Sequence, residues 1–119
     1  MPKYACSWGY LEVDGKRFDG DVIVHVDGSI TPRPIELSRH LRGQDYFHVP
    51  LSEDELGFLE AENPEVVIIG AGHRGMMIVT PKAKEILSKY VVIEAMTENA
   101  VKAMNVETRR FVAILHSKC

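Results

Sequence analysis

The first part of the chain alternates between apolar and polar residues with a period of two, which is typical of β-strands. Residues 21–26 follow this pattern, with three valines on one side and Ile23 and His25 on the other, and they predict a half-buried strand. Pro32 and Pro34 remove backbone donors from the strand that would return beside it. We therefore expect the returning strand at the edge of a sheet.

Asp-Gly pairs at 14–15 and 27–28 are typical of type I′ hairpin turns, in which both central residues have a positive φ. A two-residue turn at 14–15 would place Leu11 opposite Phe18 on one face of a hairpin. The pattern is least informative over 35–49, where a solvated basic loop and one short helical turn both fit the residues. We favour the loop.

The second half of the chain changes to a helical period, and three helix starts can be located. Ser52 and Glu55 have the spacing of a capping box, and Asn63-Pro64 is typical of the end of that helix. Thr80-Pro81 places an N-cap threonine before a proline at the first helical position, and Thr97 is the expected N-cap of a third helix. The residues expected on buried helix faces are Ala83, Ile86, Leu87 and Tyr90 in the second helix and Ala100, Val101 and Met104 in the third.

Short apolar runs between and after these helices predict strands over 66–69, 91–95 and 109–116. The last run is apolar on both faces, so we expect it near the centre of a sheet. Strands joined by helices of this length usually pair in parallel. We predict an α/β (α+β) fold of three layers, with a mixed central sheet, a βαβαβ C-terminal part and an N-terminal antiparallel β part, in one domain over 1–119.

Composition narrows the function mainly by exclusion. The chain of 119 residues has a net charge of −3, which argues against a nucleic-acid partner, because such partners favour a basic surface. Its apolar runs are too short to span a bilayer, and we expect no secretory signal. Cys6 and Cys119 do not form a disulfide framework, so we expect a soluble protein of the cytoplasm with free thiols.

The most suggestive motif lies over residues 66–75. Gly70, Gly72 and Gly75 match the G-x-G-x-x-G fingerprint of dinucleotide-binding folds and follow an apolar run. In that fold a helix begins inside the motif and directs its N-terminal amides at the pyrophosphate. Here an extended run over 76–79 comes before the second helix, so we expect no nicotinamide or flavin cofactor.

This glycine loop has two further interpretations. Its backbone amides, with Arg74 and a protonatable His73, could hold a small anion in a crevice bordered by the start of the third helix. The simpler interpretation is a solvated turn that uses glycine for its positive φ, with Thr97 acting only as a helix cap. We favour the turn, and the candidate ligand residues of the crevice are Gly70, Gly72, His73, Arg74, Gly75, Thr97 and Asn99.

His116 and Cys119 are the other residues with chemical potential. Three positions apart on a continuing strand, their side chains would lie on opposite faces. A structural zinc site normally needs four ligands, and the other histidines have no spacing that completes one. We therefore expect no bound metal, and we assign no catalytic residue.

Four segments together resemble a known family, and they are Ser7-Trp8-Gly9, Val67-Ile68-Ile69-Gly70 with Gly72, Thr97-Glu98-x-Ala100-Val101 with Asn105, and His116-Ser117-Lys118-Cys119. In this order they look like the adipogenesis-associated (MTH-type) domain family, a domain of unknown function. A related mitochondrial branch of that family contains an assembly factor of respiratory complex I. The resemblance implies a three-layer α/β fold on a mixed sheet and no established catalytic residue. It is poorest over residues 30–50.

Two hypotheses for the function follow. The first is a non-enzymatic binding or assembly module whose protein partner contacts the Trp8-Gly9-Tyr10 region or the methionines near the glycine loop. The second is an enzyme or a binder of a small anionic ligand at the crevice, with Arg74 as charge partner and His73 as acid or base. We prefer the module, because the chain has no convincing catalytic set.

Overall fold

The computed structural model describes residues 1–43 and 45–119, which form two β-sheets and three α-helices in a mixed α+β arrangement. The strands are β1 (Tyr4–Ser7), β2 (Tyr10–Val13), β3 (Lys16–Asp19), β4 (Val22–Val24), β5 (Ile30–Pro32), β6 (Val66–Gly70), β7 (Val91–Ala95) and β8 (Phe111–Leu115). The helices are α1 (Leu59–Glu62), α2 (Pro81–Leu87) and α3 (Thr97–Val106), with short 3₁₀ helices over Ile35–Leu37, Arg39–Leu41 and Glu53–Glu55.

The central sheet has five strands in the order β5-β4-β8-β6-β7. β6 pairs in parallel with both β7 and β8, whereas β4 and β8 are antiparallel. The sequence β6-α2-β7-α3-β8 is the βαβαβ part expected from the pattern, and the central position expected for the last strand is confirmed. β5, which contains Pro32, lies at one edge as expected.

Both faces of this sheet are covered, which gives the three layers that the sequence predicts. Ile69 and its neighbours on one face pack against α2 and the segment that precedes it. Ile68 and its neighbours on the other face pack against α3 and the antiparallel sheet of β1, β2 and β3. Successive residues of β6 therefore enter opposite cores, as the alternation of a strand requires.

The prediction of a half-buried strand after residue 20 is wrong, because β4 is buried on both faces. Val22 and Val24 belong to one core and Ile23 to the other, and each is at most 4% exposed. The Ile23 face, which we expected to meet solvent, lies in the core shared with α1, α2 and Leu51, whereas the antiparallel sheet covers the valine face. Residues 25 and 26 lie beyond β4, in the turn that leads to β5.

The hairpin at 14–15 is confirmed, with Leu11 paired to Phe18 and a positive φ at both turn residues. The second Asp-Gly pair forms a wider turn. There the His25 N–H donates to the Ser29 carbonyl at 2.8 Å, and φ is positive at Gly28 but not at Asp27.

The capping box predicted at Ser52 and Glu55 is not formed. The segment after Ser52 makes only a 3₁₀ turn, and α1 begins later, at Leu59. Glu55 is 3% exposed and accepts a hydrogen bond of 2.7 Å from Arg33 instead of reaching back along its own chain. The end of α1 at Asn63, in the left-handed conformation, agrees with the sequence.

Short 3₁₀ helices replace the loop that we favoured within 35–49. Between them Ser38 is fully buried, and its hydroxyl group bonds to the Ser52 hydroxyl at 2.7 Å and to Glu55. These bonds hold the segment against the core, which a solvated loop would not allow. Gln44, within the same stretch, lies outside the described residues.

The second helix begins as predicted, since the Thr80 hydroxyl accepts the Ala83 amide at 3.2 Å. Residues 73–79 contain no helical turn that could orient amides toward a pyrophosphate. Among the described residues, no helix combines the length and the apolar character needed to cross a membrane.

Candidate functional site

The glycine loop that follows β6 is closed by the chain's own backbone. The amides of residues 71–77 all donate hydrogen bonds within the protein, at distances of 2.7–3.1 Å. The acceptors are the main-chain oxygens of Ala71, Gly72, Ala95, Lys118 and Cys119 and the hydroxyl oxygen of Thr97. An anion would therefore have to displace bonds that already stabilise the fold.

Close approach of the C-terminal segment explains the glycine at position 72. Its φ is +102°, and a Cβ there would lie 2.2 Å from the carbonyl carbon of Cys119 and 2.7 Å from Cδ2 of His116. A Cβ on Gly70 would lie 2.9 Å from both Leu115 and Thr97. These two glycines let backbone and side chains meet at distances that a Cβ would prevent, which gives them a role in packing.

Thr97 lies beside this loop, as the sequence predicts, but its predicted role as N-cap is wrong. Met96 is the N-cap of α3, and Thr97 is already inside the helix. The buried Thr97 hydroxyl accepts the Gly72 amide at 2.9 Å and donates to the His116 carbonyl at 2.7 Å. Thr97 thus joins the loop, α3 and the C-terminal segment. Asn99 is exposed in the first turn of α3.

His73 and Arg74 have different surroundings. The Nδ1 atom of His73 lies 3.1 Å from a Glu98 carboxylate oxygen, and its Nε2 atom lies 3.1 Å from the Ser7 carbonyl. The ring centroid is 5.9 Å from that of Trp8. Arg74 is exposed. Anion binding is the untested alternative hypothesis, and it would depend on the Arg74 side chain, because the loop amides already donate within the protein.

A buried polar network next to the loop was not predicted. The Arg33 guanidinium, with its side chain fully buried, donates to both carboxylate oxygens of Glu55 at 2.7 and 2.9 Å and to Asp21 at 2.9 Å. Asp21 also lies 2.9 Å from His116 Nδ1 and accepts the Ser117 amide at 2.8 Å. The only sign of this network in the sequence is the pair Asp21 and Arg33, which lie on either side of the β4–β5 hairpin.

The network keeps Asp21 ionised. Burial alone would raise the pKa of Asp21, but hydrogen bonding and charge from His116, the Ser117 amide and Arg33 together lower it to about 2. Burial also opposes the charge of Arg33, and the Glu55 and Asp21 carboxylates overcome that effect and raise its pKa. A cleft of about 430 Å³ opens beside this network, but the buried charges of Asp21 and Arg33 that line it are paired within the protein.

The strand geometry that would separate His116 from Cys119 does not apply, because β8 ends at Leu115. His116 instead pairs with Asp21, and its Nε2 atom is buried without a hydrogen-bond partner among the described residues. Within the described chain, no three histidine, cysteine or acidic residues have an arrangement that would hold a metal ion.

Comparison with known proteins places this fold in a protein family. The chain belongs to the family described as "Protein of unknown function (DUF498/DUF598)", whose model matches residues 4–116. The conserved hypothetical protein PH1505 from Pyrococcus horikoshii OT3 is 29% identical, with a TM-score of 0.85 over 100% of this chain and 99% of that one.

Two other solved structures support the same assignment. A protein titled MT938 is 32% identical, with a TM-score of 0.81 and complete coverage of both chains. A Bordetella pertussis protein, described as a Mth938-like domain, is 27% identical, with a TM-score of 0.56 over 98% of this chain and 85% of that one. The comparison with curated proteins gives no match. The MTH-type domain of unknown function implied by the resemblance is thereby confirmed.

Proposed function

We propose that this protein is a non-enzymatic binding module that contacts a protein partner through Trp8, Met76 and Met96, here called the apolar end. These three side chains belong to residues that are 49%, 41% and 48% exposed, and they surround the glycine loop. The proposal rests on this combination of exposed apolar side chains with a loop whose amides are already bonded internally.

The members of the apolar end are connected through the loop. The ring of Trp8 lies beside that of His73, with 5.9 Å between ring centroids, and Met76 follows Gly75 in the chain. A Cβ on Gly75 would lie 3.4 Å from Cγ of Met96. Scattered exposed apolar residues are ordinary, but grouped ones usually mark an interaction surface. Tryptophan is enriched at binding hot spots, and methionine adapts to the shape of a partner.

The neighbouring strand β7 adds a second element of this surface. β7 is an edge strand of the five-stranded sheet, so within residues 1–43 and 45–119 no strand pairs with its outer side. Val91 and Val92 on this strand are 51% and 38% exposed, and Met96 comes directly after it. An open edge with β-branched residues presents backbone donors and acceptors to an incoming segment.

The role of an assembly-factor-like protein, which the resemblance implies, is one form of such a module. We include in this proposal a link to adipogenesis or to the assembly of respiratory complex I, and a location in the cytoplasm. The free thiols of Cys6 and Cys119 support a reducing compartment.

Photo-crosslinking in cells of the source organism tests the apolar end. We expect benzoylphenylalanine at position 96 to form a discrete adduct with one partner protein, and the Trp8→Ser substitution to reduce its yield at least several-fold. The same photoreactive residue at position 106 is the matched control. Val106 is 78% exposed at the opposite end of α3, about 15 Å away along the helix axis. No adduct from position 96, or the same adduct from both positions, would contradict the proposal.

A further inference from the structure

We propose that protonation of His73 fastens the β1–β2 turn, Trp8-Gly9, to the start of α3, so that pH controls how the apolar end is presented. We call the contacts of His73 with Ser7 and Glu98 the latch. Its biological meaning rests on the proposed function, but its dependence on pH can be tested without a partner. The inference comes from what the two ring nitrogens of His73 face.

Both partners of the His73 ring are hydrogen-bond acceptors. One nitrogen lies 3.1 Å from the Glu98 carboxylate and the other lies 3.1 Å from the carbonyl oxygen of Ser7. A neutral imidazole has a single N–H and can satisfy only one of them. The imidazolium form donates to both, so this geometry is complete only when the ring carries two protons.

His25 shows the contrast within the same chain. Its Nδ1 atom lies 2.6 Å from Glu62, but its Nε2 atom lies 2.7 Å from the Thr31 hydroxyl. A hydroxyl group donates or accepts, so a neutral His25 can satisfy both partners. The carbonyl oxygen of Ser7 can only accept a hydrogen bond, so the two contacts of His73 depend on the protonation of its ring.

Burial strengthens that dependence. The side chain of His73 is only 10% exposed, so little water is available to replace a lost contact. In the neutral ring, one nitrogen lone pair would face an acceptor oxygen at hydrogen-bond distance. We therefore expect deprotonation to release either Ser7 or Glu98, which removes the link that His73 makes between the turn and the start of α3. The Gly9 amide keeps its bond of 2.7 Å to the Ser117 carbonyl, so the change is a local loosening around Trp8.

The charged groups near the ring come from several elements. They are the Glu98 carboxylate on α3, which contacts the ring, and the side chains of Arg74 in the loop and Lys118 in the C-terminal segment. The backbone of Lys118 accepts the His73 amide at 2.7 Å. The pKa of the Cys6 thiol on β1 is raised by burial and by Glu98, so Cys6 adds no negative charge at neutral pH. His116 packs against Gly72, and its Nδ1 atom faces Asp21.

The only tryptophan of the chain reports on the latch, because the ring of Trp8 lies beside that of His73, 5.9 Å away and tilted by 32°. Acrylamide is an uncharged quencher, so its Stern–Volmer constant measures the accessibility of Trp8 without a direct effect of pH on the probe. We expect that constant to increase by about two-fold between roughly pH 5 and pH 8, where histidine loses its proton. Intensity alone would not suffice, since an imidazolium next to an indole can change emission without movement.

Two variants separate the latch from other titrations. The glutamine side chain introduced by Glu98→Gln has both a donor and an acceptor, so neutral His73 can keep both contacts, and the quenching constant should stay low at every pH. His73→Phe keeps an aromatic ring beside Trp8 but loses both bonds, so the constant should stay high at every pH. Position 98 has a largely exposed side chain, so the first variant should fold normally.

A wild-type quenching constant that does not change with pH would overturn the latch. So would a Glu98→Gln variant that titrates like the wild type. Neither result depends on a partner protein, so failure of the latch is distinguishable from failure of the crosslinking experiment at position 96.

Discussion

Replacing Glu55 by glutamine is expected to lower the free energy of unfolding by about 3 kcal/mol or more, because it removes half of a buried ion pair. Glu55 holds Arg33 through two hydrogen bonds, and their side chains are 1% and 0% exposed. Without the carboxylate, the guanidinium keeps its charge in the core with Asp21 as its remaining counter-charge. Urea denaturation at neutral pH, followed by circular dichroism, measures the change.

An exposed ion pair provides the control. Arg17 and Asp19 lie 2.7 Å apart with side chains 59% and 74% exposed, and Asp19→Asn should leave the urea midpoint nearly unchanged. The double variant Arg33→Met with Glu55→Leu should recover part of the loss, because it removes the buried charge together with its partner. If Glu55→Gln is as stable as Asp19→Asn, the buried pair of Arg33 and Glu55 contributes no measurable stability to the fold.

The second large effect is expected for Gly72→Ala. A positive φ costs a non-glycine residue about 1–2 kcal/mol, and here a Cβ would also overlap the backbone of Cys119 at 2.2 Å. That overlap cannot be relieved by rotating a side chain, so the C-terminal segment has to move away from the loop. We expect a total loss of about 3 kcal/mol or more. Faster hydrogen exchange should follow at the amides of Arg74 and Met76, which both donate to Cys119.

Gly28→Ala separates the two contributions. Gly28 has φ of +86°, but a Cβ there would meet no atom of the described residues within 4 Å. This variant should therefore lose only the conformational part, about 1–2 kcal/mol, with unchanged exchange at Arg74 and Met76. Equal losses in the two variants would mean that the approach of Cys119 to Gly72 contributes nothing to stability.

Features set by adjacent residues could be predicted from the sequence. The turn at 14–15 and the start of α2 at Thr80-Pro81 depend on the φ preferences and capping groups of the residues themselves. The central position of β8 followed from its run of apolar residues on both faces. These signals are local, and the tertiary structure does not override them.

Features set by distant residues could not be predicted. Glu55 leaves its capping position because Arg33, 22 positions earlier, binds it in the core. β4 has no solvent face because Ile23 packs in the core formed with α1 and α2, which lie more than thirty positions later in the chain. Thr97 binds the amide of a glycine 25 positions away instead of capping its helix. In each case a long-range partner competes with the local pattern, and no spacing along the chain reveals that partner.

At the candidate site, too, the sequence revealed local features of the glycine motif but not its contacts with distant residues. The three glycines match a dinucleotide fingerprint, but the sequence correctly placed the start of α2 several residues after them, outside the usual structural context of that motif. The sequence did not show that Lys118 and Cys119 accept the amides of His73, Arg74 and Met76, since those bonds join segments more than forty positions apart. Grouping of Trp8, Met76 and Met96 around the loop likewise depends on the fold.

We infer that the amides of the glycine loop stabilise the fold and do not bind an anion. The most direct measurement is an NMR titration of the wild-type protein with phosphate at low salt, followed at the amides of residues 71–77. We expect no saturable shift at these amides, because each already donates to an acceptor within the protein. Saturable shifts centred on residues 72–76 that disappear in Arg74→Ala would contradict the claim and restore the anion-binding crevice.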